Sequence, residues 1–520
     1  MTTRTLAVAL VLAAVAPCQQ PAAPAARAPG ADEIAFLRQH GLEQSQVMDH
    51  LSWICDVHGP RLTGSKNLRN AQEWAKGAFT RFGLQNARSE PWGPFGRGWR
   101  CDHALVEVVG SNPWQVIAFP KAWSPSLPAR VEAEVVYVAE ASAEELASLD
   151  LAGKVVLIDT PRDVKEPFDA TSKRLDAEAL LGLADQRAAS RPARNARQGD
   201  FQAGFVRRDA MLRIVAAKKP AAIFDRAGKG DYGTVFVQGA SVISEPGKPR
   251  DQQPRARDEG TEVIPQFTLA VEHYNRMVRL LLKRLAVRVA VELHCTFFAD
   301  DLHEYNVLAE LPGSGPEIVM LGAHFDSWQA GTGCTDNGCG SAVVLEAGRL
   351  LALLAKEKGV TPRRTIRFAL WSGEEQGLLG SRAYVTQHFG SRDGTRLPEH
   401  ELLAGYFNLD NGTGRVRGVY LQGNEKVAPI FREWLKPFHD LGASTLTLDD
   451  TGGTDHLAFD AVGLPGFQFI QDPVSYDPKT HHSNMDVWDH AVADDLRQAA
   501  TIMAAFAWHT AQRAEKLPRK

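Results

Sequence analysis

The stretch that most constrains the fold of this chain runs from Ile318 to Glu346. It opens with an apolar run, reaches His324 and Asp326, and continues through a glycine-rich loop that carries Asp336. This pattern predicts a buried strand, a loop, and then a helix that begins at about Ser341. Ligands of open α/β sheets bind beyond the carboxyl ends of the strands. The imidazole and the two carboxylates are therefore candidate ligands of zinc or a similar divalent ion.

The same arrangement recurs further along the chain. Three of the later predicted strands are followed by side chains that bind metals or transfer protons, namely Glu374 and Glu375 after residues 365–370, Asp410 after 403–409, and His481 and His482 after 467–470. Strands that alternate with helices predict an α/β fold with a mixed, mostly parallel sheet flanked by helices. Because parallel strands end at one edge of the sheet, these side chains should converge there.

The residue types in this set match the needs of a two-metal hydrolytic site. Two divalent ions about 3.5–4 Å apart need a shared carboxylate, and each also needs an imidazole and a second carboxylate. A further carboxylate must take the proton from the attacking water. We therefore predict two bound Zn²⁺ ions, with Co²⁺ or Mn²⁺ as substitutes. Asp326 can accept the second ring N–H of His324 and so fix its tautomer.

Length and charge limit the other possibilities. A chain of 520 residues predicts two or three domains. The formal net charge of -4 and the scattered basic residues give no reason to expect a nucleic-acid partner. They say nothing about the oligomeric state.

The first 25 residues are typical of an export signal. Arg4 precedes an apolar run, Leu6 to Ala16, which is too short to span a bilayer, and Ala23 to Ala25 offer a cleavage site. We therefore predict a secreted or periplasmic protein. Lipid anchoring at Cys18 is a second possibility, although Pro17 stands where a small residue is expected. No other stretch is interpreted as membrane-spanning.

The middle of the chain differs from its flanks. Residues 123–270 contain predicted strands and a polar, arginine-rich loop at 187–204, but no cluster of metal ligands. We interpret this segment as a small inserted domain. Residues 26–122 are predicted to be a mainly helical N-terminal part of the main domain, and residues 271–520 its remainder. The strand predicted at 291–297 is assigned to the main sheet.

Two cysteines flank the candidate ligand Asp336. Cys334 and Cys339 can form a disulfide in an exported protein, or can serve as thiolate ligands. Spacing alone does not decide the pairing.

The motifs HFDSW, TDNG, WSGEEQGLLGS, FNLDNG and HHSNMD resemble peptidase family M28, the co-catalytic zinc exopeptidases. The resemblance extends from about Asp49 to the C-terminal helix. It is strongest to the carboxypeptidase Q-like branch and to bacterial secreted aminopeptidases. It implies a zinc exopeptidase fold and identifies residues 123–270 with a protease-associated (PA) domain that influences substrate access.

The resemblance also implies roles for individual residues. The implied set is His324 and Asp410 on one metal, Glu375 and His482 on the other, Asp336 as the bridge, and Glu374 as general base and acid. His482 is preferred to His481 because the family ligand directly precedes Ser or Thr. A cis peptide bond is expected after Asp336. The loop with Asp455 and His456 falls beside the substrate, where His456 would contact the tetrahedral intermediate or shape the pocket.

The implied activity is hydrolysis of peptide bonds at chain ends or in short peptides. An aminopeptidase is favoured, and a carboxypeptidase or dipeptidase is the alternative because all share this metal centre. A non-catalytic, receptor-like ectodomain on the same fold should lack a ligand, whereas this chain keeps all of them. The short spacing from His324 to Asp336, together with the insert, argues against a related cyclase or an M20-type amidohydrolase.

Overall fold

The computed structural model describes residues 30–185 and 206–520. The predicted export signal, the candidate lipidation site Cys18 and the predicted loop at 187–204 lie outside the described residues.

Sixteen strands occur in the described part of the chain. In chain order they are β1 Gln85–Trp92, β2 Gly98–Val109, β3 Trp114–Gln115, β4 Ala118–Pro120, β5 Val131–Tyr137, β6 Val155–Leu157, β7 Ala222–Arg226, β8 Gln266–Leu269, β9 Arg288–Phe298, β10 Glu304–Leu311, β11 Ile318–His324, β12 Thr365–Trp371, β13 Leu403–Asn408, β14 Val416–Tyr420, β15 Thr445–Thr447 and β16 Gly466–Gln471.

Twelve α-helices accompany them in the same described ranges. They are α1 Ala31–Glu43, α2 Val47–Ser52, α3 Lys66–Arg81, α4 Ala143–Ser148, α5 Ala177–Asp185, α6 206–217, α7 Val271–Leu282, α8 Cys339–Lys358, α9 Leu379–His388, α10 Ala428–Leu435, α11 His456–Asp460 and α12 Ala493–Gln512.

The main sheet has eight strands in the order β1-β10-β12-β11-β13-β16-β14-β15. Its central strands β12, β11, β13 and β16 run parallel to one another. On either side of them, β10 pairs antiparallel with β12 and β14 pairs antiparallel with β16. Every residue of β11, β13 and β16 is buried, as expected for strands covered by helices on both faces. This explains why their sequences are mainly apolar.

Helix α8 is the central helix of the main core. It packs against α12, α1 and α2 and against strand β11. Residues Cys334–Lys358, which include α8, have the length and mean hydropathy of a membrane-spanning helix. This differs from the sequence-based expectation that no stretch of the chain is long and apolar enough to span a membrane. However, 83% of its most apolar window is buried inside the protein, so its apolar character is accounted for by core packing.

A second sheet also has eight strands, in the order β3-β2-β9-β5-β6-β7-β8-β4. Strands β5 to β8 are parallel, and β2 pairs with β9 along almost its whole length. Its core is largely valine, leucine and phenylalanine, with α7 packed against it. The sheet therefore has a hydrophobic core of its own.

The predicted fold class, a mixed α/β fold with a smaller β-rich unit, is confirmed. The assignment of residues 291–297 to the main sheet is wrong, because β9 pairs with β2 and β5 in the second sheet. A local strand pattern does not identify the partner strand. The domain boundaries at 123 and 270 stay predictions, and the second sheet draws strands from residues 98–298.

Candidate metal centre

The candidate ligands meet at the carboxyl edge of the main sheet. His324 is the last residue of β11 and lies beside Trp371, the last residue of β12. Asn408, the last residue of β13, lies beside Gly322 of β11. Since these strands and β16 run parallel, the loops that follow them open on the same side. The parallel order of the strands therefore brings these side chains together, as the sequence predicted.

Glycines form the sharp turns that follow two of these strands. Gly373 precedes Glu374 and has φ 70°, and a Cβ at this position would lie 2.7 Å from the Trp92 ring. Gly412 follows Asp410 with φ 86°, and a Cβ there would lie 2.9 Å from the Tyr476 ring. At both positions, the positive φ disfavours residues with a side chain, and the nearby ring leaves no room for a Cβ. The glycines thus let both carboxylates turn back over the sheet edge.

The first group of potential metal ligands contains His324, Asp336 and Asp410. The Nε2 atom of His324 lies 3.3 Å from Oδ1 of Asp336 and 3.3 Å from Oδ1 of Asp410. All three side chains are buried. Neither His324 Nε2 nor Asp410 Oδ1 has a hydrogen-bond partner. Buried polar atoms of this kind are rare unless water or an ion satisfies them.

The second group lies on the other side of Asp336. The Nε2 atom of His482 is 3.2 Å from Oδ2 of Asp336 and 3.0 Å from Oε2 of Glu375. The two oxygens of Asp336 therefore face different imidazoles. This is the arrangement expected of a carboxylate that bridges two ions.

His481 also approaches this second group. Its Nε2 atom is 3.8 Å from Oδ2 of Asp336, and its Nδ1 atom is 3.4 Å from the Lys229 ammonium. It forms a possible ligand group with Asp336 and His482. The contact with Glu375 is recorded for His482, which favours His482 as the ligand. The choice between the two histidines stays a prediction.

Asp326 is bound differently from the sequence-based expectation. The Nδ1 atom of His324 lies 3.1 Å from the main-chain oxygen of Asp326 and 3.7 Å from its carboxylate. The carboxylate instead accepts hydrogen bonds from Thr63 Oγ1 and from the backbone N–H groups of Glu374 and Glu375, at 2.8, 3.2 and 3.3 Å. Because Asp326 is only two residues from His324, its carbonyl reaches the ring first. The carboxylate positions the backbone of the paired glutamates.

A further layer of contacts holds Asp336. Asp486 accepts hydrogen bonds from the backbone N–H of Thr335 at 2.6 Å and of Asp336 at 3.1 Å. The peptide bond between Asp336 and Asn337 is cis, as expected from the motif. The Asn337 amide donates to the carbonyl of Leu409 at 2.8 Å. Asp486 is the last residue of the HHSNMD motif, and the sequence predicted no role for it.

The pKa values of the clustered carboxyl and imidazole groups are strongly shifted. Burial and the nearby Asp336 carboxylate raise the pKa of Glu375 to about 8, and burial raises the pKa of Glu374 well above its ordinary range. Burial alone would lower the pKa of His482, but Glu375 and Asp336 outweigh it and raise that pKa to about 10. For Asp336, His324 and His482 outweigh burial and hold its pKa well below its ordinary value. The cluster is therefore a strong cation attractor.

The two residues predicted to lie beside the substrate differ from each other. Asp455 is fully buried, and its carboxyl is electrostatically coupled to His324 and Asp410; burial raises its pKa to about 7. His456 is also buried, but its Nε2 atom contacts the Gln422 amide and lies 3.3 Å from the carbonyl of Thr451. The metal-ligand groups found among the described residues do not include His456. Its predicted contact with substrate stays a prediction.

The residues fit zinc on chemical grounds. Zinc prefers imidazole nitrogen and carboxylate oxygen, and catalytic sites keep a position open for water. The buried cluster offers two such nitrogens and three carboxylates, with unpartnered atoms on His324, Asp336, Glu375 and Asp410. Cys334 and Cys339 are buried and unbridged, with their sulfur atoms 4.0 Å apart, and neither belongs to the ligand groups found in the described part of the chain.

A parallel-sheet edge that gathers imidazoles, a shared carboxylate and a free glutamate defines a metal-dependent hydrolase. Residues 306–507 match Peptidase family M28 and contain every candidate ligand and Glu374. This part of the chain is similar to that peptidase family.

Similarity also extends over most of the chain. Carboxypeptidase Q of Mus musculus is 24% identical over 497 residues, which is 94% of this chain and 90% of that protein. The crystal structure of a peptidase M28 precursor from Shewanella amazonensis has a TM-score of 0.65 and 24% identity, covering 94% of this chain and 98% of that one. A zinc aminopeptidase from Bacillus subtilis has a TM-score of 0.54 and 18% identity, with 89% and 93% covered. These structures share the fold with this chain.

Proposed function

We propose that this chain is an exported exopeptidase that binds two zinc ions and hydrolyses peptide bonds at chain ends or in short peptides. In this proposal His324 and Asp410 hold one ion, His482 and Glu375 hold the other, and Asp336 bridges them. Glu374 is the general base and acid. Residues 123–270 act as a PA-like domain inserted between 26–122 and 271–520. The zinc aminopeptidase with the same fold supports the choice of metal.

One observation carries the metal assignment. The two oxygens of the buried Asp336 carboxylate each point at a different imidazole, at 3.3 and 3.2 Å. A single ion would need only one of these oxygens. If two ions are bound, Asp336 would hold both, and its negative charge would reduce their mutual repulsion.

The chain's own residues account for proton transfer. When bound, the zinc ions would polarise the scissile carbonyl and make the attacking water more acidic. Glu374 is buried and lies 3.9 Å from His324 Nε2, beside the ligands but outside the assigned set. It takes a proton from the water and delivers it to the leaving amine. The Asp326 carboxylate fixes the backbone of Glu374 and thereby the direction of its side chain.

Two directions of cleavage are candidates. An aminopeptidase is the first candidate, in keeping with the fold shared with a zinc aminopeptidase. The second is a carboxypeptidase or dipeptidase, because the relative that covers 94% of the chain is named carboxypeptidase Q. Peptides are the proposed partners in either case.

A chelator and substrate panel tests the proposal. The purified protein should contain about two zinc ions per chain, lose activity on chelation, and regain it with Zn²⁺ or Co²⁺. Free dipeptides, N-blocked dipeptides and aminoacyl-anilides should then separate the two directions. Cleavage of anilides but not of blocked dipeptides indicates an aminopeptidase, and the reverse indicates a carboxypeptidase. Activity that survives complete metal removal would exclude the metal mechanism.

The proposed export rests on the first 25 residues. Their basic start and short apolar run are typical of signal peptides. N-terminal sequencing of protein recovered outside the cytoplasm should begin near Ala26. An intact Met1 on the active protein would contradict export by cleavage.

A further inference from the structure

A short strip of the inserted segment touches the loop that carries His482. The strip is residues 235–238 and the loop is residues 481–484. They pair as an isolated antiparallel bridge at Phe236 and Ser483. The N–H of Val237 donates to the carbonyl of His482 at 3.0 Å. The two segments are separated by more than 240 positions in the sequence, so this contact depends on the tertiary fold.

A second contact fixes the other end of the loop. The backbone N–H of Asn484 donates to the carbonyl of Val235 at 3.1 Å. The N–H of Val235 in turn donates to the side-chain oxygen of Asn484 at 2.7 Å. Val235 and Val237 are buried in a small apolar cluster with Ala227 and Ala270. The strip is thus anchored in the inserted segment and holds the loop from outside the main sheet.

The conformation of His482 explains why such support is needed. Its φ is 63°, in the left-handed region that residues with a Cβ rarely adopt. A side chain with a Cβ is sterically disfavoured in this backbone state relative to the right-handed form. The hydrogen bond from Val237 satisfies the His482 carbonyl in that conformation and favours it. The strip therefore helps determine where the imidazole points.

The ring itself has a partner on the strip. The side-chain amide of Gln238 lies 3.0 Å from Nδ1 of His482, on the opposite side of the ring from Asp336 and Glu375. A ring that binds a metal through Nε2 carries its proton on Nδ1 and needs an acceptor there. The amide oxygen of Gln238 becomes that acceptor when the amide turns by half a rotation. Gln238 is exposed, so its side chain has no core-packing role.

We propose that residues 235–238 are an integral part of the metal centre, and that Gln238 is a positioning residue that orients His482 toward the second ion. This inference rests on the zinc function proposed above. It makes the inserted segment a structural contributor to metal binding, besides any effect on substrate access. Partners that orient ligating histidines typically change metal affinity by about 10–100-fold when removed.

The test measures zinc affinity by competition with a chromophoric chelator. Gln238→Leu should lower the affinity for one of the two zinc ions about tenfold and leave the affinity for the other unchanged. Gln238→Glu keeps an acceptor oxygen within reach of Nδ1 and should restore the affinity. Unchanged affinity for both ions in Gln238→Leu would overturn the inference. Failure of the unmodified chain to bind zinc would instead overturn the proposed function.

Gln329→Leu is the matched control. The Gln329 amide donates to the carbonyls of Pro120 at 3.0 Å and of Gln238 at 3.3 Å, so it supports the same strip without reaching the His482 ring. Its zinc affinities should match those of the unmodified chain. If Gln329→Leu weakens the same ion as strongly as Gln238→Leu, general loosening of the strip explains the loss, and a specific role of Gln238 is excluded. The melting temperatures of the metal-free variants check that each one folds.

Discussion

Asp225 and Asp410 are buried carboxylates, one on the second sheet and one just beyond a strand of the main sheet, with very different surroundings. Asp225, on β7 of the second sheet, accepts a hydrogen bond from Thr268 at 2.6 Å and pairs with Lys121 at 2.7 Å and Arg208 at 3.0 Å. Asp410, beyond β13 of the main sheet, has one oxygen without any hydrogen-bond partner. Their exposures are nearly equal, 6% and 8%.

The difference teaches how to tell a structural charge from a functional one. Burying a carboxylate costs several kcal/mol unless other groups compensate for the lost water. Around Asp225 the chain supplies that compensation; burial would raise its pKa, but Lys121 and Arg208 outweigh burial and lower it. Around Asp410 the compensation is incomplete, which leaves room for a cation to supply it. We infer that incomplete pairing, more than burial, marks the site.

The largest expected effect comes from Glu374→Gln. If this glutamate transfers protons and binds no metal, kcat should fall by about a thousandfold while two zinc ions stay bound. The amide keeps the size of the side chain but cannot accept the proton. Steady-state kinetics and metal analysis of the same sample measure both quantities.

The neighbouring Glu375→Gln variant is the control for that experiment. Glu375 contacts His482 at 3.0 Å and is assigned to the second ion. This variant should lose about one zinc ion as well as activity. Equal zinc loss in both variants would show that the two glutamates do not have separate roles.

Stability of the metal-free protein tests the comparison itself. Asp225→Asn should lower the free energy of unfolding by about 3 kcal/mol, because Lys121 and Arg208 lose a buried partner. Asp410→Asn should lower it less, since the lost attraction to His324 is offset by relief of repulsion among the nearby carboxylates. Urea unfolding after chelation measures both values. If Asp410→Asn lowers the free energy of unfolding as much as Asp225→Asn or more, the distinction between paired and unpaired charges is contradicted.

The sequence predicted most of the candidate site because its residues follow a local rule. His324, the paired glutamates and Asp410 each come directly after an apolar strand, and parallel strands bring such positions to one edge. The fold class followed from the same alternation of strands and helices. The cis peptide bond after Asp336 was implied by the family motif and is present.

What the sequence did not predict depends on contacts between distant segments. Gln238 reaches His482 only through the contact between two segments that are far apart in the sequence. Thr63 supports Asp326 from a turn that showed no sign of a role in the site. Strand β9 was assigned to the wrong sheet, because an alternating pattern fixes which face is buried but not which strand lies alongside. The carbonyl of Asp326, rather than its carboxylate, lies nearest the His324 ring nitrogen, a detail of backbone geometry.

Glu346 lies in the main domain, like Asp410, but is fully paired, like Asp225. It therefore shows whether pairing or location distinguishes a structural charge from a functional one. It is a buried residue of α8, with two hydrogen bonds from Arg349 at 2.7 and 2.8 Å and an ion pair with His50 at 3.2 Å. The backbone N–H of Gln46 adds a third donor at 3.1 Å. Burial would raise the pKa of Glu346, but Arg349 and His50 outweigh it and lower that pKa to about 2. By its pairing Glu346 belongs with Asp225 rather than with Asp410.

The smallest predicted effect is the pH dependence that follows from this lowered pKa. A carboxyl group whose pKa is lower when folded stabilises the protein above its unfolded pKa, and this contribution is lost as the pH falls toward the folded value. For Glu346 the window lies between about pH 4.5 and pH 2. Between pH 7 and pH 3 the unmodified chain should lose about 2 kcal/mol more stability than Glu346→Gln. Glu357→Gln, at the exposed end of the same helix, should follow the unmodified chain. If the free energy of unfolding falls equally with pH in Glu346→Gln and in the unmodified chain, the ion pair is equally strong in the unfolded state. In that case, pairing seen in the fold does not identify a structural charge.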